Sequence, residues 1–492
     1  MITKSLFCLS VVLLTLASRV AADDKPNFII INIDDLGYAD IGPYGSDNKT
    51  PHLDRMAAEG RKLTSHYAAP VCSPSRASLM TGCYPKRALP IPHVLFPGAK
   101  VGLNPDEITI AELLKDVGYA TACVGKWHLG DQRIFLPTQQ GFDEYFGIPY
   151  SNDMGPADEG AKSNFAQAAP RRKPAAKGNA GNESRETGIT GANQPPLPLL
   201  QNETVIERLR APEQATITRR YTERAVKFIE NHQHESFFLY LPHTAVHFPL
   251  YPSEPFREQS PNGLIGDWTQ EVDWSVGQIL DTLRELKLDK RTLVLFTSDN
   301  GGAVNQGSKN TPLRGSKGQT YEGGIRVCTI AWWPGKIPAG TSTSAITSMM
   351  DVLPTFAALA GAKLPADRKL DGLDMWSVLS GESEAGARSE FLYFRGLQLE
   401  AVRQGPWKWH PHKSELYHLE NDISESENVA DRHPEVIAKL RDRVSEVESD
   451  LGTTGIGPHC RPLGRASDPQ PLIQQDGTIR ADAASVAGAV AK

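Results

Sequence analysis

Two apolar patterns alternate along this chain. Asn27-Phe28-Ile29-Ile30-Ile31-Asn32-Ile33 is a short continuous apolar run, the pattern of a strand buried on both faces, and it stops abruptly at Asp34-Asp35. Thr292 to Thr297 repeats the design and stops at Ser298-Asp299-Asn300-Gly301-Gly302, and Phe237 to Leu241 is a third run of the same kind. Between them, Ile110 to Val117, Ile217 to Asn231 and Trp268 to Leu286 carry helical periodicity. The alternation predicts an α/β fold: a large, doubly wound mixed β-sheet domain flanked by helices over residues 24–385. Beyond it the texture changes. Phe391 to Phe394, Glu400 to Arg403 and Leu416 to Leu419 read as short antiparallel strands, and Pro434 to about Leu451 as a charged helix. Together they predict a smaller C-terminal α+β subdomain over 386–452. Residues 156–198, rich in Ala, Gly, Pro, Asn and Lys, read as a flexible insertion, and 453–492 as a polar tail.

The N-terminus changes the compartment. Lys4, the apolar stretch Leu6 to Leu16 and the small residues Val20-Ala21-Ala22 before Asp23 make a secretory signal of residues 1–22. The apolar stretch is too short to cross a bilayer and no later segment resembles a span, so the expected product is exported, periplasmic or secreted. A formal net charge of −6 removes nucleic acid from the expected partners. Cys8 leaves with the signal, and Cys72, Cys83, Cys123, Cys328 and Cys460 lie scattered, without the close pairs of a zinc site. Their pairing is not assigned by the sequence.

Both acidic clusters fall at the C-terminal ends of buried strands, the edge at which open α/β sheets bind ligands. Asp34, Asp35, Asp299 and Asn300 offer hard oxygen atoms, suited to Ca²⁺ or Mg²⁺ and poor for zinc. Either pair alone fits a turn or a helix cap equally well. Val71-Cys72-Ser73-Pro74-Ser75-Arg76 to Gly82 places a cysteine where a helix begins: Pro74 is tolerated in a first turn and Gly82 suits a left-handed cap. Cys72 then faces unpaired N–H groups and reads as a nucleophile that handles an oxyanion, with a buried structural thiol as the plainer reading. Arg76 follows one helical turn later. Gly125-Lys126-Trp127-His128-Leu129-Gly130 sets Lys126 and His128 two apart, on one side of an extended segment. His243 and His247 follow the Phe237 to Leu241 strand.

The pattern C-x-P-S-R followed by a small-residue helix and Thr81-Gly82 resembles the signature of the type I sulfatases of the alkaline phosphatase superfamily. G-K-W-H-L-G resembles their second signature, and Leu313 to Gly324 the segment whose lysine contacts sulfate. The resemblance extends over residues 27–430 and is closest to the arylsulfatase A branch, through Phe135-Leu136-Pro137 and Gln140-Gly141-Phe142 to Ser151. It implies that Cys72 is oxidised to formylglycine (3-oxoalanine) by a maturation enzyme. It also implies that Asp34, Asp35, Asp299, Asn300 and the residue-72 oxygen hold one Ca²⁺, Mg²⁺ being the alternative.

In the mechanism that the resemblance implies, the hydrated aldehyde attacks the sulfur of a sulfated small molecule or carbohydrate. Lys126, Lys317 and the metal meet the developing charge, and His247 protonates the leaving oxygen with help from Lys317. His128 deprotonates the second hydroxyl to expel sulfate, while Arg76 holds the diol. Ser151 corresponds to a serine near the sulfate, His243 to a supporting or structural residue, and Arg314 reads as a surface residue. Cys83 and Cys328 depart from the relatives' pattern. Two other readings stay open: a formylglycine-dependent phosphonate monoester or phosphodiester hydrolase, and an inactive protein that binds sulfated glycans.

Overall fold

The structure, a computed structural model, describes residues 25–167 and 186–484; the expected signal of residues 1–22 and the centre of the 156–198 insertion lie outside them. Ten strands form the main sheet: β1 (Asn27–Ile33), β2 (Arg61–Leu63), β3 (Ala120–Val124), β4 (Glu144–Gly147), β5 (Leu197–Gln201), β6 (Thr204–Leu209), β7 (Phe237–Pro242), β8 (Thr292–Ser298), β9 (Ile330–Trp332) and β10 (Thr341–Thr343). Their order is β10-β2-β9-β8-β1-β7-β3-β4-β5-β6. The five central strands, β8 to β4, run parallel, and antiparallel pairs flank them on both sides. This is the expected doubly wound mixed sheet.

Alternate side chains of the central strands feed two cores. Phe28, Ile30, Phe238, Tyr240, Leu293 and Leu295 pack with α2 (Cys72–Thr81), α3 (Ile110–Asp116) and α6 (Val352–Ala360). Ile29, Ile31, Leu239, Leu241, Val294 and Phe296 pack on the other face with α1 (Pro51–Glu59), α4 (Ile217–Asn231) and α5 (Gly263–Glu285). Burial on both faces is why these strands read as unbroken apolar runs. Register fixes the consequence for chemistry. Asn27 pairs with Thr292 and Ile33 with Ser298, so β1 and β8 end level and their acidic tips emerge side by side.

A separate sheet follows, an antiparallel meander of β11 (Glu390–Arg395), β12 (Gln398–Gln404), β13 (Trp407–His410) and β14 (Glu415–His418), packed with α7 (Pro434–Asp450). Strand β13 is absent from the sequence expectation because two of its buried side chains are Lys408 and His410, which hide the apolar alternation. Helix α5 starts five residues before the expected Trp268; Asp267 in its first turns accepts N–H bonds from Glu258, Gln259 and Ser260, tying down the preceding loop.

The two polar segments are more ordered at their described ends than composition suggests. Near the insertion, Phe165 N–H donates to Leu250 O and Leu250 N–H to Asn164 Oδ1, while Phe96 and Lys100 donate their N–H groups to Thr187 O and Glu186 O and Ile189 N–H donates to Pro97 O. In the tail, Gly464–Arg465 pairs with Val101–Gly102, while Leu472, Ile473 and Ala483 are buried in the main core. A few apolar side chains at the right places suffice to dock a segment that is polar on average. Leu472→Ala is expected to cost about 2–5 kcal/mol, read as a lower denaturant midpoint with an unchanged slope; a surface-like effect of about 0.5 kcal/mol or less would mean that the tail does not pack.

Candidate active site

Helix α2 begins at Cys72, after an extended Val71, and ends at Gly82 in the left-handed conformation (φ 66°), whose N–H bonds Ser78 O. Ser75 Oγ pins the incoming loop by bonding both N and O of Ala69. These local choices aim Cys72, 2% exposed, at the tip of β1, where its Sγ lies 3.3 Å from Asp34 Oδ1. Burial, then the Asp34 carboxylate, pushes the thiol pKa well up.

Arg76, one turn on and fully buried, clasps Asp299 Oδ2 through Nε (3.0 Å) and Nη2 (2.7 Å) and stands 3.6 Å from Asp34. It also donates to Lys126 O, which fixes the loop after β3. That loop is not an extended strand as expected: Gly125 (φ 139°) and His128 (φ 64°) both have positive φ. A Cβ at Gly125 would lie 1.9 Å from Pro242 O, so only glycine fits. The turn nonetheless delivers Lys126 Nζ to Asp34 and, at 3.2 Å, to Ser151 Oγ. His128 donates from Nε2 to Leu95 O (2.9 Å), leaving Nδ1 buried without a partner. Burial, Lys126 and Arg76 hold His128 well below the usual imidazole range, so it is neutral, with a free lone pair.

At the tip of β8, Asn300 Nδ2 donates to Asp35 Oδ1 (2.8 Å), while Asn300 Oδ1 is buried without a partner. Lys317 Nζ pairs with Asp35 at 2.8 Å. From the tip of β7, His247 donates from Nδ1 to Phe248 O and turns Nε2 toward Asp35 Oδ2, 3.7 Å away; Ser151 Oγ lies 3.3 Å from His247 Nδ1. Ligand atoms of Asp34, Asp35, Cys72 and His247 lie within 4.8 Å of one another. Burial works to raise Asp34, but Lys126, His247, Arg76 and Lys317 outweigh it and hold the carboxyl well below its ordinary range. Burial and then Asp34 push Asp299 up to about 6. Asp34, Asp35, Cys72, Arg76, Lys126, Ser151, His247, Asp299, Asn300 and Lys317 are thus joined by polar contacts, while His128 is linked to them only through the charges of Lys126, Arg76 and Asp34.

His243 points away from it. It is buried and its Nε2 meets Ser275 Oγ of α5 at 3.1 Å, the structural role expected as one alternative. Arg314 is exposed, as its surface reading expects, and it also stacks on Tyr321 (4.0 Å to the ring centroid) and donates to Tyr417 Oη (3.0 Å) and Glu425 O (2.9 Å). It belongs to a brace absent from the sequence reading. Glu322, just beyond Lys317, is fully buried and accepts from Tyr67 (2.6 Å), Tyr393 (2.9 Å) and Lys408 (2.9 Å). Lys408 also pairs with Glu425 (2.8 Å), whose other oxygen accepts the Glu322 N–H (2.7 Å). The C-terminal sheet therefore grips the loop that carries Lys317. Charged residues in a short pattern give no signal of such burial.

Burial drives the His243 pKa down to about 3. Below about 6.5 the unfolded chain takes up a proton that the fold refuses, so stability falls as pH drops from about 6.5 toward 3. His243→Gln is expected to flatten that acid limb in a series of denaturant midpoints between pH 7 and pH 4; an unchanged slope would contradict it.

A family-wide sequence profile described as Sulfatase matches residues 26–362. N-acetylgalactosamine-6-sulfatase of Canis lupus familiaris is 40% identical over 404 residues, covering 79% of this chain and 72% of that protein. Arylsulfatase A of Homo sapiens is 38% identical over 413 residues, covering 81% and 77%. Among solved structures, Ps i-CgsB in complex with k-i-k-neocarrahexaose superposes with a TM-score of 0.71 at 32% identity, covering 86% of this chain and 92% of that one. Among the described residues no helix is long and apolar enough to cross a membrane. With a profile match over most of its length and curated relatives near 40% identity, the chain belongs to the sulfatase family and is an enzyme that hydrolyses sulfate esters.

Proposed function

We propose that this sulfatase acts on sulfated carbohydrates, that residue 72 works as formylglycine made from Cys72 by a maturation enzyme, and that the metal is one Ca²⁺. The observation that carries the proposal is the orphaned Asn300 Oδ1, buried on a side chain that bonds Asp35, which is itself gathered with Asp34 and Cys72. A buried amide oxygen without a partner is costly unless a cation or donor meets it, and an all-oxygen set suits a hard ion. Asp34, Asp35, Asp299 and Asn300 are the residues that would hold it, and a divalent ion there supplies Lewis-acid polarisation of a sulfate oxygen. The converted residue 72 supplies hydroxyl groups where a thiol has none. The named activity of the canine relative on an N-acetylgalactosamine sulfate and the oligosaccharide held by the structural neighbour support a carbohydrate substrate.

The chain's own groups then divide the work. Lys126 and Lys317, fixed on Asp34 and Asp35 by ion pairs, present ammonium groups to the sulfate oxygens without having to reorganise. Ser151 Oγ, between Lys126 and His247, adds a hydrogen bond. With Nδ1 of His247 committed to Phe248 O, Nε2 is the atom that passes a proton to the departing alcohol oxygen. His128 has the opposite polarity: Nε2 is committed to Leu95 O, so the free Nδ1 accepts a proton from residue 72. Arg76 balances the carboxylates beneath.

Cys72→Ala is expected to lose at least about 10³-fold of activity on 4-nitrocatechol sulfate, as for removal of other covalent nucleophiles. Full residual activity, or an active enzyme whose residue-72 peptide has the mass of an unmodified thiol, would defeat the assignment. For the metal, Ca²⁺ added after chelation is expected to raise the melting temperature by several degrees, and by much less in Asn300→Ala. An equal rise in both proteins would remove Asn300 from the ligand set.

A further inference from the structure

Almost every group of the catalytic cluster is sealed from solvent, and Lys317, with 21% of its side chain exposed, is where the cluster meets water. A substrate whose sulfate sits on Lys126 and Lys317 therefore points its alcohol portion toward that opening. What stands there decides which alcohols fit.

Two segments meet at the opening. The first is the strip Pro92–Leu95, held on the active site by both backbone groups of Leu95: its N–H donates to Ser73 Oγ (3.2 Å), beside Cys72, and its O accepts from His128 Nε2 (2.9 Å). His93, two residues earlier, is exposed, and its Cα is at most about 7 Å from that of Leu95. The second segment is the turn between β11 and β12. A Cβ on Gly396 would lie 2.2 Å from Pro92 O, so this turn presses on the residue just before His93. Arg395, next to Gly396, is 58% exposed and gives its Nε to Glu400 (2.5 Å), whose other oxygen accepts from Thr320 Oγ1 (2.7 Å), three residues past Lys317. His93, Arg395 and Lys317 are thus gathered at one rim from three separate stretches of chain.

The rim has donors to spare. Among the described residues nothing hydrogen-bonds the His93 ring, and the two terminal nitrogens of Arg395 lie outside its bond to Glu400. Burial, then the charges of Lys317 and Arg395, hold the His93 pKa below the ordinary imidazole range, so the positive field of both cations reaches the ring. A neutral imidazole still donates one N–H. Glu400 is only 14% exposed, so the charge that the rim shows to solvent is positive. A cationic alcohol portion would be repelled here, and an uncharged one would leave this field unused. An anionic group meets charged donors.

We propose that His93 and the terminal nitrogens of Arg395 form a seat for a second anionic group, a carboxylate or sulfate carried on the alcohol portion, and so favour doubly anionic sulfate esters over singly anionic ones. The proposal rests on the reading of Lys317 as part of the sulfate seat, and the test separates the two. Carboxyphenyl sulfates with the carboxylate ortho, meta or para to the ester are compared with their methyl esters, which carry a single charge. The readout is the ratio of kcat/KM, acid over methyl ester, in wild type, His93→Gln, Arg395→Gln and the double variant; the intrinsic reactivity of each compound cancels between proteins. For at least one isomer the wild-type ratio is expected to exceed that of the double variant about fivefold at low ionic strength, chiefly through KM, and the difference is largely screened at about 0.5 M salt. Arg395→Lys keeps part of the preference, and turnover of the methyl esters stays within about twofold throughout. Equal losses on acid and methyl ester would make the two residues structural, and equal ratios in all proteins would mean that they touch no substrate; either result overturns the seat.

Binding to the Cys72→Ala protein, measured by calorimetry, needs no turnover. Tighter binding of the acid than of the methyl ester, lost in the triple variant that adds His93→Gln and Arg395→Gln, supports the seat; equal affinity for the two compounds, or no binding of either, opposes it. Loss of all turnover in wild type would defeat the hydrolytic mechanism, while this binding result would still decide the seat.

Discussion

Everything at this site depends on balancing charge among side chains that are almost entirely buried. Asp34, Asp35 and Asp299 are brought together because β1 and β8 end level, and three carboxylates so placed repel one another strongly in a low-dielectric interior. Arg76, Lys126 and Lys317 arrive from three different parts of the chain to offset them. Each cation is held by an ion pair before any substrate is present, so the positive groups that a sulfate ester needs are already oriented. The arrangement that makes the acidic cluster tolerable is also the one that lets an anionic substrate approach it.

The same logic recurs one layer out, with a different purpose. Glu322, Lys408 and Glu425 form a buried charged group joining the Lys317 loop to the second sheet. Such groups add little net stability compared with apolar packing, yet they tolerate only one geometry because every partner must be met. Tyr67 and Tyr393 hydroxyls complete the coordination of Glu322. The brace holds Glu322, five residues beyond Lys317, while Asp35 holds the Lys317 ammonium directly.

Much of this was legible in the sequence where burial and periodicity coincide. Strands such as β1 and β8 announce themselves because both faces are apolar, and α4 spans the very residues whose periodicity predicts it. Cys72 and Arg76 were legible because Pro74 and Gly82 mark a helix, and a helix fixes the spacing of one turn. Lys126 and His128 lie on a turn with two positive φ residues, Gly125 and His128, and not on the extended segment whose alternation was expected to align them. The unread parts share one cause. Lys408, Glu322 and Glu425 are charged residues inside the protein, and a local pattern reads a charge as solvated. Leu472 and Ile473 are too few to lift the composition of the segment around them.

The placement of those last two residues has a bearing on how the molecule is made. Gly464–Arg465 lies against Val101–Gly102, and Leu472 and Ile473 fill a core begun by Phe28 and Ile30. These residues are synthesised long after the strands they pack on, so that core keeps an apolar gap until they emerge. A truncation that removes Leu472 and Ile473 while sparing every motif of the site would still leave that core incompletely sealed.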